Sequence, residues 1–201
     1  MNFDTVIIGG GLSGIVCGLK VAARGGKCAI VSAGQSALHF WSGSFDLLGT
    51  LDAKNFVSDI PVALKKLSEE NPLHPYSKIG VEETLFLANE AKKLFEKCGV
   101  ELFGEESKNH YRLTPLGLLR PTWLTLKDFV KFETQAGFDS KKILVLGFEG
   151  YLDFFARTLS DALKIRGCNA TALELDLKKI LPFQKNTAGL RSTHIAQFFD
   201  D

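Results

Sequence analysis

The chain has 201 residues, 45% of them hydrophobic, and a formal net charge of +1. This length and composition predict one or two compact α/β units with a true core. The nearly neutral charge, with no basic run longer than two residues, argues against nucleic-acid binding. The sequence contains no stretch of about 20 uninterrupted apolar residues, so no membrane span is predicted. The four cysteines form no C-x-x-C pair, so their spacing favours free thiols over a metal site.

The first 31 residues predict a strand, a helix and a second strand. Thr5 to Ile8 is short, rich in β-branched residues and followed by glycine. From Leu12 to Arg24 the apolar residues recur at helical spacing, and a Gly-Gly pair stops the helix. Lys27 to Val31 is the second strand. A strand, helix and strand within about 30 residues indicate a parallel crossover.

A G-x-G-x-x-G frame occupies the turn between the first strand and the helix. Gly9 permits the tight turn, Gly11 leaves the backbone open to a phosphate, and Gly14 lets the helix pack on the sheet. The helix N-terminus offers N–H groups and the positive end of its dipole to an anion. The frame therefore predicts a nucleotide site. The alternative is a glycine-rich turn that packs helix on sheet without a ligand.

The end of the second strand lacks the acid that usually binds an adenosine ribose. No Asp or Glu occurs between Asp4 and Asp46, and Val31-Ser32 stands where the acid is expected. NAD and NADP therefore lose support. A hydroxyl can still bond a ribose, so FAD stays open, whereas FMN has no adenosine half and needs no acid.

The middle of the chain predicts helices followed by short strands. Residues 33–50 are interpreted as irregular, with room for one short helix. Asp59 to Glu70 and Val81 to Lys97 are helical by pattern, and the proline-containing segment 71–80 between them is a predicted loop. Residues 100–124 predict short strands, and residues 134–142 a linker.

A second strand–helix–strand pattern follows. Residues 141–147 predict a strand, Tyr151 to Arg166 a helix, and residues 169–177 another strand. The turn lacks the spaced glycine frame and places Glu149 at the predicted helix N-terminus, where a carboxylate would repel phosphate. We interpret this pattern as a structural or substrate-domain element. The last nine residues predict the start of a further helix.

Several segments together identify a family. The segments "GGGLSGIVCGLKVAARGGKCAIVSAGQSALHFWSGSFDLL", "RLTPLGLLRPTWL", "KKILVLGFEGYLDF" and "LRSTHIAQFFDD" closely resemble the B subunits of bacterial anaerobic glycerol-3-phosphate dehydrogenases. The likeness covers nearly the whole chain. It implies a flavoprotein with FMN as cofactor, FAD being the alternative. Family members are about twice as long, so the chain is expected to be an N-terminal portion.

The resemblance also implies an activity and partners. The family works beside a catalytic A subunit, which contains FAD, and an iron–sulfur C subunit. It lies in the cytoplasm, peripheral to the inner membrane, without a membrane span of its own. Together these proteins oxidise sn-glycerol 3-phosphate to dihydroxyacetone phosphate and pass electrons to quinone. Two other hypotheses stay open: a non-catalytic assembly or electron-relay subunit, and an NAD-linked enzyme.

Site residues are implied where the sequence matches the family. The family's nucleotide loop corresponds to Gly9, Gly10, Gly11, Leu12, Ser13 and Gly14. The segment after the second strand corresponds to Ser32, Gln35 and Ser36. A stretch of small residues near the flavin ring corresponds to Ser42, Gly43 and Ser44. His39 is either a flavin contact or an ordinary loop residue. Arg112 and Arg120 are either a substrate-phosphate clamp or members of ion pairs, and Arg191 shares this ambiguity. No catalytic residue and no metal site are predicted.

The expected architecture is a Rossmann-like, three-layer α/β fold of the FAD/NAD(P)-binding type with a second α/β unit. Residues 1–50 form the flavin-binding half, 51–137 a helical and mixed insertion, and 138–201 the second βαβ unit, expected to be a substrate or cap domain. In this class the chain returns to the nucleotide domain late in the sequence, and we expect that return to be missing here.

Overall fold

The computed structural model describes residues 1–34, 36–52, 55–136, 142–176 and 190–200, with backbone only at 39, 40, 197 and 198. The chain divides into two compact units, Met1–Ser44 and Phe45–Asp201. The division into three parts at residues 50 and 137 stays a prediction. The mixture of parallel and antiparallel sheets confirms the predicted α/β class.

The first unit contains the predicted βαβ motif. Strand β1 (Thr5–Ile8), helix α1 (Leu12–Ala23) and strand β2 (Cys28–Val31) follow in order, and the two strands pair in parallel. A short 3₁₀ helix (Ala37–Phe40) lies in the segment predicted to be irregular with one short helix. The strand–helix–strand order predicted from hydrophobic periodicity and glycine placement is therefore confirmed.

Helix α1 covers one face of the β1–β2 sheet. Gly18 is buried, and a Cβ added there would lie 3.1 Å from Cδ1 of Ile30. The other face carries Val6, Ile8 and Val31, all exposed, with Ile8 at 90%. Parallel strands are apolar on both faces because both are normally covered, so this sheet has the composition of a buried one.

The second unit begins with a helical and antiparallel region. Its helices are α2 (Ile60–Glu70), α3 (Pro75–Ile79) and α4 (Val81–Lys97). Its strands are β4 (Leu102–Phe103), β5 (His110–Leu113), β6 (Leu119–Thr122) and β7 (Leu124–Leu126). β3 (Ser44–Phe45), β7 and β4 form one sheet in that order, and β5 pairs with β6 in another. Ile60 and Leu64 of α2 and Leu124 of β7 lie in one hydrophobic core, each at most 1% exposed.

Local chemistry explains where the helices begin. The Asp59 carboxylate accepts a hydrogen bond from the N–H of Val62 at 3.0 Å and caps α2. The prediction of a loop over residues 71–80 is wrong, because α3 forms there. Pro75 starts that helix, where a missing N–H costs nothing, and Nδ1 of His74 accepts from the N–H of Tyr76 at 3.2 Å.

The second βαβ motif consists of β8 (Lys142–Phe148), α5 (Ala156–Ile165) and β9 (Asn169–Leu175), with the strands parallel. Val145, Ala156, Leu163 and Ala170 form its core, each at most 6% exposed. The predicted helix start at residue 151 is wrong: turns precede Ala156, where α5 begins. The final helix, α6 (Ser192–Asp200), is confirmed. Most of the predicted linker, residues 137–141, lies outside the described residues.

Candidate cofactor site at the β1–α1 corner

The corner between β1 and α1 is built from three glycines in a row. Strand β1 ends at Ile8 and α1 begins at Leu12, so only three residues make the turn. Gly9 has φ of +108°, a conformation that a side chain would strain. Its N–H donates to the carbonyl of Val31 at 2.8 Å. The turn is thereby tied to the end of β2.

Gly14 brings the first turn of the helix against the strand. A Cβ at this position would overlap the carbonyl oxygen of Gly9 and lie 3.3 Å from Cγ2 of Ile7. No side chain fits there without moving backbone. The close helix–strand packing predicted for this glycine is present in the structure.

Gly11 has the opposite surroundings, which suit a bound phosphate. A Cβ added at Gly11 would meet nothing within 4 Å. Gly11 is also the N-cap of α1, and it provides no side-chain hydrogen bond to the first turn. That turn contains no acidic residue. The first N–H groups of the helix therefore remain for an anion, with the positive end of the helix dipole behind them.

Ser32 forms the neighbouring wall of the corner. A Cβ on Gly10 would lie 3.2 Å from both Cβ and Oγ of Ser32. The Ser32 hydroxyl donates to the carbonyl of Gly34 at 2.9 Å. Since a hydroxyl has one hydrogen, Ser32 can offer a ligand only its oxygen lone pairs in this arrangement. An acceptor thus stands where an acid is usual, without the charge.

Comparison with known proteins bears on what this corner holds. The family model described as "FAD binding domain" matches residues 4–197. This chain belongs to the FAD binding domain family. The match confirms the flavin-type nucleotide-binding fold predicted from the glycine frame, and no solved structure gives a significant match.

Curated relatives support the resemblance found from the sequence. The chain is 43% identical over its 201 residues to the B subunit of anaerobic glycerol-3-phosphate dehydrogenase of Yersinia pseudotuberculosis, covering 47% of that protein. It is 44% identical to the protein of the same name from Yersinia enterocolitica, again covering 47%. The Pectobacterium atrosepticum protein is 40% identical over 200 residues. The resemblance is confirmed, and the chain spans about half the length of these relatives.

The other predicted flavin residues of this FAD binding domain form local contacts. Ser36 accepts from the N–H of Leu38 at 3.3 Å and caps the 3₁₀ helix. The Ser42 and Ser44 hydroxyls lie 3.0 Å apart, and Nε1 of Trp41 donates to the Ser44 carbonyl at 2.9 Å. These bonds order the segment 36–44. Gln35 and the side chain of His39 lie outside the described residues. A flavin role for this segment stays a prediction.

The two arginine candidates lie in the second unit. Arg112 on β5 and Arg120 on β6 stand directly opposite each other in the strand register. Nη2 of Arg120 lies 2.6 Å from Oδ2 of Asp46, so the ion-pair alternative describes its contact in this structure. The Arg112 guanidinium lies 4.7 Å from the centre of the Phe129 ring. Sequence reasoning missed Asp46, because a contact across 74 positions leaves no local signal.

Arg191 contacts the start of α6 through its backbone, so the role of its guanidinium stays a prediction. The N–H of Arg191 donates to Nδ1 of His194 at the start of α6. The expected position of Glu149 at a helix N-terminus is wrong, because α5 begins seven residues later. The space at this turn is instead filled by Ala156, whose Cβ would lie 2.7 Å from a Cβ on Gly147. Gly147, the next-to-last residue of β8, therefore lacks the open space found at Gly11.

His110 is a buried titratable residue that sequence reasoning missed. It is 5% exposed, and its Nε2 lies 2.7 Å from Oγ1 of Thr125. Burial lowers the pKa of His110 to about 4, helped by the positive charges of Arg112 and Lys131. The imidazole is therefore neutral at pH 7.

Two further features bear on membrane and metal binding. Among the described residues, no helix is both long enough and apolar enough to cross a bilayer. Within the same part of the chain, no group of three or more His, Cys, Asp or Glu side chains is placed to hold a metal ion.

Proposed function

We propose that this chain is the flavin-binding part of a flavoprotein subunit of an anaerobic glycerol-3-phosphate dehydrogenase complex. The complex oxidises sn-glycerol 3-phosphate to dihydroxyacetone phosphate and passes the electrons to quinone. Relatives of that name align with the whole chain at 43–44% identity. The observation that carries the proposal is the open position of Gly11 at the uncapped N-terminus of α1.

The residues at the corner fit a flavin phosphate. A phosphate at Gly11 would meet first-turn N–H groups and no competing carboxylate of that turn. The flavin, when bound, accepts the two electrons and the hydrogen that leave the alcohol carbon. The chain's own part is to bind and orient. Gly14 holds the helix against the strand, and Gly9 turns the backbone toward the anion.

We infer FMN as the cofactor, with FAD as the alternative. The position that usually supplies a ribose acid is Ser32, whose hydroxyl hydrogen is used by the Gly34 carbonyl. A mononucleotide such as FMN needs no contact at this position, so the absence of an acid at Ser32 does not weaken its binding. A dinucleotide would have only the Ser32 lone pairs there. The family match as FAD binding domain supports the alternative.

The assembly in which the chain works is proposed on the same basis. Its partners would be an A subunit that contains FAD and an iron–sulfur C subunit, in the cytoplasm and attached to the inner membrane through those partners. The relatives are named as B subunits of their enzyme, which supports a multi-protein complex.

A second candidate is a non-catalytic assembly or electron-relay subunit of the same complex. The corner favours it in one respect: the side chains there are those of leucine and serine, and none is a general base at neutral pH. Binding a nucleotide at this corner would then serve assembly or electron passage rather than substrate oxidation.

The test is to purify the full-length gene product with its partner proteins and to identify the released cofactor by mass. We expect one FMN per chain. Release of FAD would overturn the FMN assignment and leave the flavoprotein proposal standing. A colourless chain that still co-purifies with the complex would overturn flavin binding and support the second candidate. Electron transfer from glycerol 3-phosphate to a quinone analogue then separates the catalytic from the relay function.

A further inference from the structure

The β5–β6 hairpin places two positive side chains side by side. Arg112 and Arg120 are directly opposite in an antiparallel pair, so their side chains emerge on the same face. Like charges at opposite positions destabilise a hairpin unless an anion lies between them. The hairpin therefore needs a negative group on this face.

Asp46 supplies that negative group from another part of the unit. Its Oδ2 lies 2.6 Å from Nη2 of Arg120, and its Oδ1 accepts from the Thr122 hydroxyl at 3.2 Å. Burial lowers the pKa of Arg112, whereas the nearby Asp46 carboxylate acts in the opposite direction. Asp46 thus acts on both arginines.

The contact between Asp46 and Arg120 is accessible to a competing ligand. The Arg120 side chain is 65% exposed and that of Asp46 35%. Ion pairs this exposed contribute little to stability, because water screens them. Both residues also line a cavity of about 660 Å³, whose wall includes Thr50, His74 and Tyr76. A small molecule can therefore reach Arg120 from the cavity.

We propose that Arg120, supported by the charge of Arg112, binds the phosphate group of a phosphate monoester, and that Asp46 occupies this position until the ligand displaces it. A phosphate dianion brings two negative charges to two guanidinium groups, and its oxygens match the forked geometry of arginine. The organic part of the ligand extends into the cavity. Asp46 is then a built-in competitor that occupies Arg120 while the site is empty.

The experiment measures binding of inorganic phosphate by calorimetry to the full chain and to three variants. Arg120→Gln should weaken binding roughly tenfold or more, since it removes a charge-assisted pair. Asp46→Asn should strengthen binding up to about fivefold, because it removes a competing ion pair of the exposed kind. An increase of affinity on removing a side chain is an outcome that a merely structural Asp46 would not give.

Arg157→Gln is the matched control. Arg157 lies in the same unit and pairs with Glu174 at 3.4 Å, with side chains 79% and 35% exposed, but it does not line the cavity. Its loss should leave phosphate affinity unchanged. Equal losses in Arg157→Gln and Arg120→Gln would mean general electrostatic attraction and would overturn the proposal, as would unchanged or weaker binding in Asp46→Asn. No flavin is needed in this assay, so its result is separate from that of the cofactor test.

Discussion

The two βαβ motifs share one topology and use their glycines in different ways. In β1–α1–β2 three residues separate the strand from the helix, and the corner at Gly11 is open. In β8–α5–β9 seven residues intervene, and Ala156 fills the space next to Gly147. The first motif has open space at Gly11, whereas in the second the end of β8 is packed against α5 at Gly147.

The two βαβ motifs also differ in how far their residues are buried. The second motif contributes Val145, Ala156 and Leu163 to a hydrophobic core. In the first motif the buried residue of α1 is a glycine, and Ile15 and Leu19 on that helix are 36% and 46% exposed. A βαβ motif is therefore no evidence of nucleotide binding by itself. What distinguishes the two is the space beside the glycine: a Cβ at Gly11 meets nothing within 4 Å, whereas one at Gly147 meets Ala156 at 2.7 Å.

Gly14→Ala should have the largest effect on the first motif. The added Cβ would overlap the carbonyl oxygen of Gly9, a backbone atom that cannot move alone, so we expect a loss of about 3 kcal/mol in the free energy of unfolding. Urea denaturation of the full chain measures it. An unchanged midpoint would show that helix and strand are not locked together at this position.

Gly11→Asp tests the open corner directly. Nothing lies within 4 Å of the new Cβ, so the free energy of unfolding should hardly change. A carboxylate beside the phosphate position should weaken flavin binding about 100-fold, or about 2.7 kcal/mol. Flavin fluorescence titration gives the affinity. Ala23→Asp, in the last turn of the same helix, is the control and should bind flavin as the natural sequence does.

Acidification tests the antiparallel region of the second unit, where the His110 side chain packs against Phe103 and Thr125. His110 has its pKa lowered to about 4, below its value of about 6.5 in the unfolded chain. Its contribution to stability is therefore complete above pH 6.5 and is lost as the pH falls toward 4.

Between pH 6.5 and pH 5 this loss should reach about 2 kcal/mol, at about 1.4 kcal/mol per pH unit. The measurement is urea denaturation across that range. His110→Gln removes the titrating group and should flatten this part of the pH dependence. Parallel curves for the two proteins would contradict a buried, neutral His110.

Gly147→Ala should give the smallest change of the four. Its Cβ would approach the Ala156 side chain at 2.7 Å, and α5 can shift to relieve part of this contact. We expect a loss of about 1 kcal/mol in the free energy of unfolding and no change in flavin affinity. A clear loss of flavin binding here would contradict the division of roles between the two glycine turns.

Features with a local physical cause were predictable. The glycine frame, the helix patterns over residues 60–70 and 81–97 and both parallel strand pairs follow from side-chain periodicity and turn chemistry. The errors have local causes too. Helix α3 begins at a proline that was interpreted as a loop residue, and α5 begins at Ala156, five residues later than its apolar pattern suggested.

The sequence alone determined that a strand, three spaced glycines and a helix stand in the order that nucleotide sites require, because each glycine's task is set by neighbours a few positions away. Only the tertiary structure decided that Gly11 faces open space, that Ala156 packs against Gly147, and that Asp46 meets Arg120 across 74 positions. Empty space and distant ion pairs depend on how the chain folds back on itself, and no local pattern of residues records that.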